Sequence, residues 1–228
     1  MFKNINFYTS LFLIVYFFTG IFLSINSGIS HDEFHEQLNW EVNLKSIKDF
    51  FLTGNYPDLL EYKDRYHGIG FNIISQPFQI IIKDLILDYS NLNEYGSILI
   101  AKHVIVFTIF NPKDIPFLSF WLINTYFLLR ICQKLNQDKK ITFKIIFFSS
   151  LFVSILISIR IVGILILLQY LIFLVVFLEI TNKKILYLLK NNKLNVVFFI
   201  SFIVLFVYLL NPIFWHNPLE IINSLRWM

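Results

Sequence analysis

The chain has 228 residues, 57% of them hydrophobic, and a mean hydropathy of +0.66, which is too apolar for a soluble domain and typical of a polytopic membrane protein. Its one cysteine, Cys132, excludes an internal disulfide framework. The net charge of +4 comes from basic residues gathered in short loops between apolar runs, a pattern of membrane orientation with no signature of nucleic-acid binding.

Residues 7–25 form the first apolar run, preceded by Lys3 alone as a basic flank. The run exceeds a signal-peptide core and no small-residue cleavage site follows it, so a retained first span is predicted. Residues 26–97 then read as an external loop. Ser30 is a good helix cap and Glu33, three residues on, completes a capping box. The helix it opens carries Phe34, Leu38, Val42 and Lys45 on one row and Trp40, Leu44 and Ile47 on another, the pattern of a helix lying along a membrane surface. Gly54-Asn55-Tyr56-Pro57-Asp58 and Tyr66-His67-Gly68-Ile69-Gly70 are turns. Residues 73–87 contain Lys83 and Asp84 and read as a second amphipathic surface helix.

Short spans are expected over 98–129, around Asn111-Pro112-Lys113-Asp114, yet 98–110 is only about two-thirds of a spanning length. A helical hairpin is predicted at 143–178, a last span at 194–210 and an external tail at 211–228. Loop 130–144 sets Arg130, Lys134, Lys139, Lys140 and Lys144 against Asp138 alone. Loop 179–193 sets Lys183, Lys184, Lys190 and Lys193 against Glu179. Both loops are expected on the cytoplasmic side. The run between them must then go out and return, with its turn near Ser158-Ile159-Arg160 and Gly163 just beyond. Charge bias thus gathers His31-Asp32-Glu33, Asn111 to Asp114, Arg160 and Asn211 to Pro218 on one outer face. Parity fails in one place: 69–110 begins and ends outside with a single short crossing.

Each polar candidate has a plain structural reading beside its functional one. Glu33 can serve as the capping-box acid alone. Arg160 can be a residue whose charge reaches water from a helix end, although a charge within a span is costly unless it faces protein or water. Lys113 and Asp114 can simply begin a helix after Pro112. His31 and His35 stand at i, i+4, the spacing of two metal ligands on one helix face, but no third ligand or protease scaffold accompanies them.

These motifs, in their order and sidedness, resemble the GT-C glycosyltransferases. The nearest likeness is to family 39, with the protein O-mannosyltransferases and the lipid A aminoarabinose transferase. Ser30-His31-Asp32-Glu33-Phe34-His35 resembles the first external acidic motif, and Tyr66-His67-Gly68 precedes another helix as in that family. Asn111-Pro112-Lys113-Asp114-Ile115-Pro116-Phe117 resembles the second acidic motif, and Ser158 to Gly163 the arginine-glycine turn. Family members are longer, with a further span before the second acidic motif, so an internally deleted and C-terminally truncated member is expected.

The resemblance implies an all-α polytopic membrane protein, with a GT-C-like N-terminal transmembrane module and an external loop of amphipathic surface helices. It implies transfer of a sugar from a polyprenyl-phosphate carrier to a lipid, glycan or protein acceptor at the outer face of the cell inner membrane. Asp32 would be the base, Glu33 a substrate contact, Arg160 and Lys113 the phosphate-binding cations, and Asp114 the group that orients the acceptor or binds a divalent cation. No metal ligand set is assigned. The rival reading is a non-enzymatic membrane protein, a transporter fragment or scaffold; a transporter should show broken spans with polar residues near mid-bilayer.

Overall fold

The computed structural model describes residues 14–15, 18–19, 31–89, 97, 101, 114–182 and 185–227. The expected first span at 7–25 and the short run at 98–110 lie almost wholly outside the described residues. The described residues form helices and turns, with no strand among them. The helices are α1 (His31–Thr53), α2 (Pro57–Glu61), α3 (Gly70–Tyr89), α4 (Asp114–Asn136), α5 (Phe143–Ile159), α6 (Leu165–Ile180), α7 (Ile185–Leu210), α8 (Ile213–His216) and α9 (Glu220–Trp227). A 3-10 turn, Ile161–Ile164, joins α5 to α6.

The chain divides into two compact units, one of residues 1–38 and 72–116, the other of residues 39–71 and 117–228. In the first unit, α3 is amphipathic as its sequence suggests, but its polar side is the buried one. Ser75, Gln76 and Gln79 are buried, with Gln79 Nε2 donating to Ser75 Oγ at 3.2 Å. Ile73, Ile74, Phe78, Ile80, Ile81 and Leu85 are exposed. A helix in water would show the opposite arrangement.

The second unit is a helical bundle. Asn195 Nδ2 donates to the Ile141 carbonyl at 3.3 Å, Ser154 Oγ to Ile203 at 3.3 Å and Ser158 Oγ to Leu210 at 3.3 Å. Partners advance together along both chains, so α5 and α7 run parallel. Phe143 and Phe147 on α5 interleave with Phe198, Phe202 and Phe206 on α7 at centroid distances of 5.5–5.9 Å, mostly in the edge-to-face geometry that aromatic quadrupoles favour. Ser150, Ser154 and Ser158 recur every four residues on α5, and such small side chains let helix backbones approach closely.

α6 returns antiparallel to both. Its Tyr170 hydroxyl pairs with Ser149 Oγ at 2.8 Å and donates to the Asn124 carbonyl of α4 at 3.0 Å. Gln169 Nε2 adds a 3.0 Å bond to Thr125 Oγ1.

Among the described residues, two helical stretches are long and apolar enough to cross a membrane: Ile161–Ile180, at mean hydropathy 3.0, and Asn192–Leu210, at 2.4. Twenty residues of helix rise about 30 Å, the thickness of a bilayer core. Both are mostly exposed, with Leu168, Leu171, Val175, Ile200 and Val204 on the surface. Phe143–Ile159 is apolar but shorter. α7 begins at Ile185, nine residues before the expected span, and bends at Asn192, whose φ of −124° leaves the helical range.

Candidate functional site

The antiparallel path of the second unit sorts its connections to two ends. The α4–α5 loop, with Lys139 and Lys140, and the first half of α7, with Lys193, share one end. The α5–α6 turn at Arg160 and the segment after Leu210 share the other. Residues 50–70 are fastened to this second end.

The fastening is a backbone clasp. Helix ends leave carbonyls without intrahelical partners, and helix starts leave N–H groups in the same position. Gly68 N–H donates to the Ser158 carbonyl at 3.1 Å, and Ile69 N–H to the Leu210 carbonyl at 3.1 Å. Gly70 N–H donates to Ser158 Oγ at 2.9 Å, while that same hydroxyl donates to Leu210. The start of α3 therefore closes the ends of α5 and α7 together. Glycine leaves room for both side chains: a Cβ on Gly68 would collide with Asn211 Oδ1 and Ser158 Oγ, and one on Gly70 would stand 2.9 Å from Ser158 Oγ, so these side chains would have to shift.

Aromatic packing covers the clasp. Phe50 lies 5.4 Å from the Trp215 ring and 5.5 Å from Tyr56. Trp215 Nε1 donates to the Tyr208 carbonyl at 2.8 Å, and the Tyr56 hydroxyl donates to the Pro212 carbonyl at 3.2 Å. Tyr66 donates to Glu220 Oε2 at 2.8 Å, with the Arg65 guanidinium 5.1 Å over its ring. Lys45 pairs with Asp58, tying α1 to α2. Burial pushes the Tyr56 phenol up to about 12. Because the folded value lies above the unfolded value near 10, its contribution to stability is complete below pH 10 and is lost as pH rises from 10 through 12. Difference absorbance between wild type and Tyr56→Phe should show one phenol ionising near pH 12; a difference titrating near pH 10 would contradict this burial.

Arg160 sits at the turn itself. It ends α5 in an extended conformation, φ −146° and ψ 129°, and is half-buried. Its N–H bonds to the Leu156 carbonyl at 3.3 Å, and its own carbonyl accepts from Gly163 N–H at 2.7 Å. A Cβ on Gly163 would lie 2.6 Å from the Leu156 carbonyl oxygen, so the turn can close only around glycine. The serine that anchors the clasp thus stands two residues before the arginine.

No family model, curated protein or solved structure matches the chain.

The other expected site residues lie in the first unit. Asp32 and Glu33 occupy the first turn of α1, where the helix dipole favours negative charge; their side chains lie outside the described residues. Asp114 is exposed at the first position of α4, and Lys113 lies outside the described residues. Among the described residues, no three histidine, cysteine or carboxylate side chains gather to hold a metal ion. In α1 the buried positions are Asn39, Asn43 and Ser46. The expected apolar rows Leu38-Val42 and Trp40-Leu44-Ile47 are only partly covered. The exposed charges Glu41, Lys45 and Lys48 fall where a surface helix would put them.

The sequence reading missed Ser158, Asn211, Tyr66 and Glu220 as partners. The glycine pair at 68 and 70 and the four-residue serine spacing were the available signals.

Proposed function

We propose that the chain is a multi-pass membrane glycosyltransferase of the GT-C type, its active face extracytoplasmic in a cell inner membrane. The observation that supports this reading best is the division of the bundle into a lysine-rich end and an end that gathers Arg160, the Gly68–Gly70 clasp and the aromatic loops. A transporter would break its spans around a charged site at mid-bilayer; here Arg160 and the clasp stand at a helix terminus, and the mid-helix groups Gln169 and Tyr170 pair with neutral partners inside the bundle.

In this reaction Asp32 takes the proton from an acceptor hydroxyl, whose oxygen attacks the anomeric carbon of the carrier-linked sugar. The bond from that carbon to the phosphate oxygen breaks, and polyprenyl phosphate leaves with the electron pair. Arg160 and Lys113 hold the phosphate and stabilise its growing charge. Glu33 and Asp114 orient the acceptor. A divalent cation is a candidate cofactor, and no step above requires it.

The test is transfer of labelled sugar from a polyprenyl-phosphate donor in vesicles containing the protein, with Arg160→Ala beside wild type. Transfer that falls about tenfold or more in the variant is expected for a lost charge-assisted phosphate contact. No transfer above empty vesicles would reject the proposal, and equal transfer by both proteins would reject the role given to Arg160.

A further inference from the structure

A groove of about 370 Å³ opens along the bundle on the side of α6 and α7. Ile164 and Leu167 form one wall, Ile203 and Val204 the other, and Phe214 and Ile221 close the end beside the clasp. We infer that this groove is a binding site for one acyl chain of a bilayer phospholipid, lying lengthwise between α6 and α7. The inference rests on the membrane reading above and is independent of the sugar-transfer chemistry.

Four observations select this occupant. The lining is almost wholly apolar, so water has too few partners to fill it. Both walls come from the two stretches long enough to span a bilayer, which places the groove at hydrocarbon depth. Its lining includes the exposed Ile200 and Val204, so it is continuous with a surface that lipid would cover. Its volume holds roughly a dozen close-packed methylenes. A carrier tail of several tens of carbons is too large for this volume to hold whole.

The experiment uses the full chain in vesicles of phosphatidylethanolamine and phosphatidylglycerol. The probe is a phosphatidylglycerol with a photoreactive diazirine midway along one acyl chain. Label is expected to concentrate on 161–167 and 199–207. Val204→Trp, which narrows the mouth from an exposed position, should reduce it about fivefold, equivalent to roughly 1 kcal/mol of binding. Leu171→Trp, on the exposed face of α6 outside the groove, should leave it unchanged.

Even labelling of all exposed apolar faces, or indifference to Val204→Trp, would overturn the site. Displacement by excess polyprenol but not by unlabelled phospholipid would assign the groove to a carrier tail and overturn the acyl-chain assignment. Release of the protein from membranes by alkaline wash would instead remove the membrane reading itself. Retention with no local label would remove the groove alone.

Discussion

Asp32→Asn is expected to lower sugar transfer by about a hundredfold or more, the usual loss when a general base is removed. Asparagine keeps the size and much of the hydrogen bonding of aspartate but cannot accept the acceptor's proton. Position sharpens the expectation, because Asp32 stands in the first turn of α1. There a carboxylate is favoured by the helix dipole, and losing that interaction alone would cost about 0.3–1 kcal/mol of stability. A purely structural role would therefore show as a small change in thermal stability with turnover preserved. The assay is turnover with a polyprenyl-linked sugar, reported beside the unfolding temperature of each protein. Near-normal turnover in Asp32→Asn would refute the assigned base. His31→Ala is expected to have little effect; abolition of turnover by that change, with rescue by added metal, would make the histidines metal ligands instead.

Gly163→Ala is expected to destabilise the bundle by about 1–3 kcal/mol, the range for forcing extra volume into a packed site. The upper part of that range is expected here, because the new methyl would meet the Leu156 backbone and not the movable end of a side chain. Gly70→Ala should also destabilise the bundle, since the methyl displaces Ser158 Oγ from its bonds to Gly70 and Leu210. Ser158→Ala removes the same two bonds from the other side. Because the two residues share one contact, the double variant should fall short of the sum of the singles, with a coupling of about 0.5 kcal/mol or more. Thermal unfolding in detergent measures all four. Strict additivity, or a Gly163→Ala protein as stable as wild type, would mean that the clasp and turn are not formed as described.

The helical class was legible because long apolar runs separated by lysine-rich loops leave little else to build. So was the break at Arg160, since a lone guanidinium inside an apolar run marks a place where the chain must reach protein or water. The start of α7 was misplaced because lysines at 190 and 193 interrupt the apolar run, while the backbone continues as helix through them and bends only at Asn192. For α3 the periodicity identified two faces without saying which one is covered. That choice depends on the surrounding solvent, and here Ser75, Gln76 and Gln79 face inward. The clasp was the least legible part. Gly70 and Ser158 are 88 residues apart in the chain, and nothing local in either segment requires the other. Of the expected site, Arg160 and Asp114 have described side chains; Asp32 and Glu33 are fixed in backbone only.

The central claim is that the lysine loops and the clasp end of the bundle lie on opposite sides of a membrane. It is tested most directly by cysteine accessibility in sealed vesicles. The buried Cys132 is replaced by serine, and single cysteines are introduced at the exposed positions Asn136 and Leu219. A membrane-impermeant maleimide applied from the extracytoplasmic side should label the cysteine at 219 and spare the one at 136 until the vesicles are opened. Labelling of both positions from the same side would contradict the membrane-spanning bundle and the one-sided site built upon it.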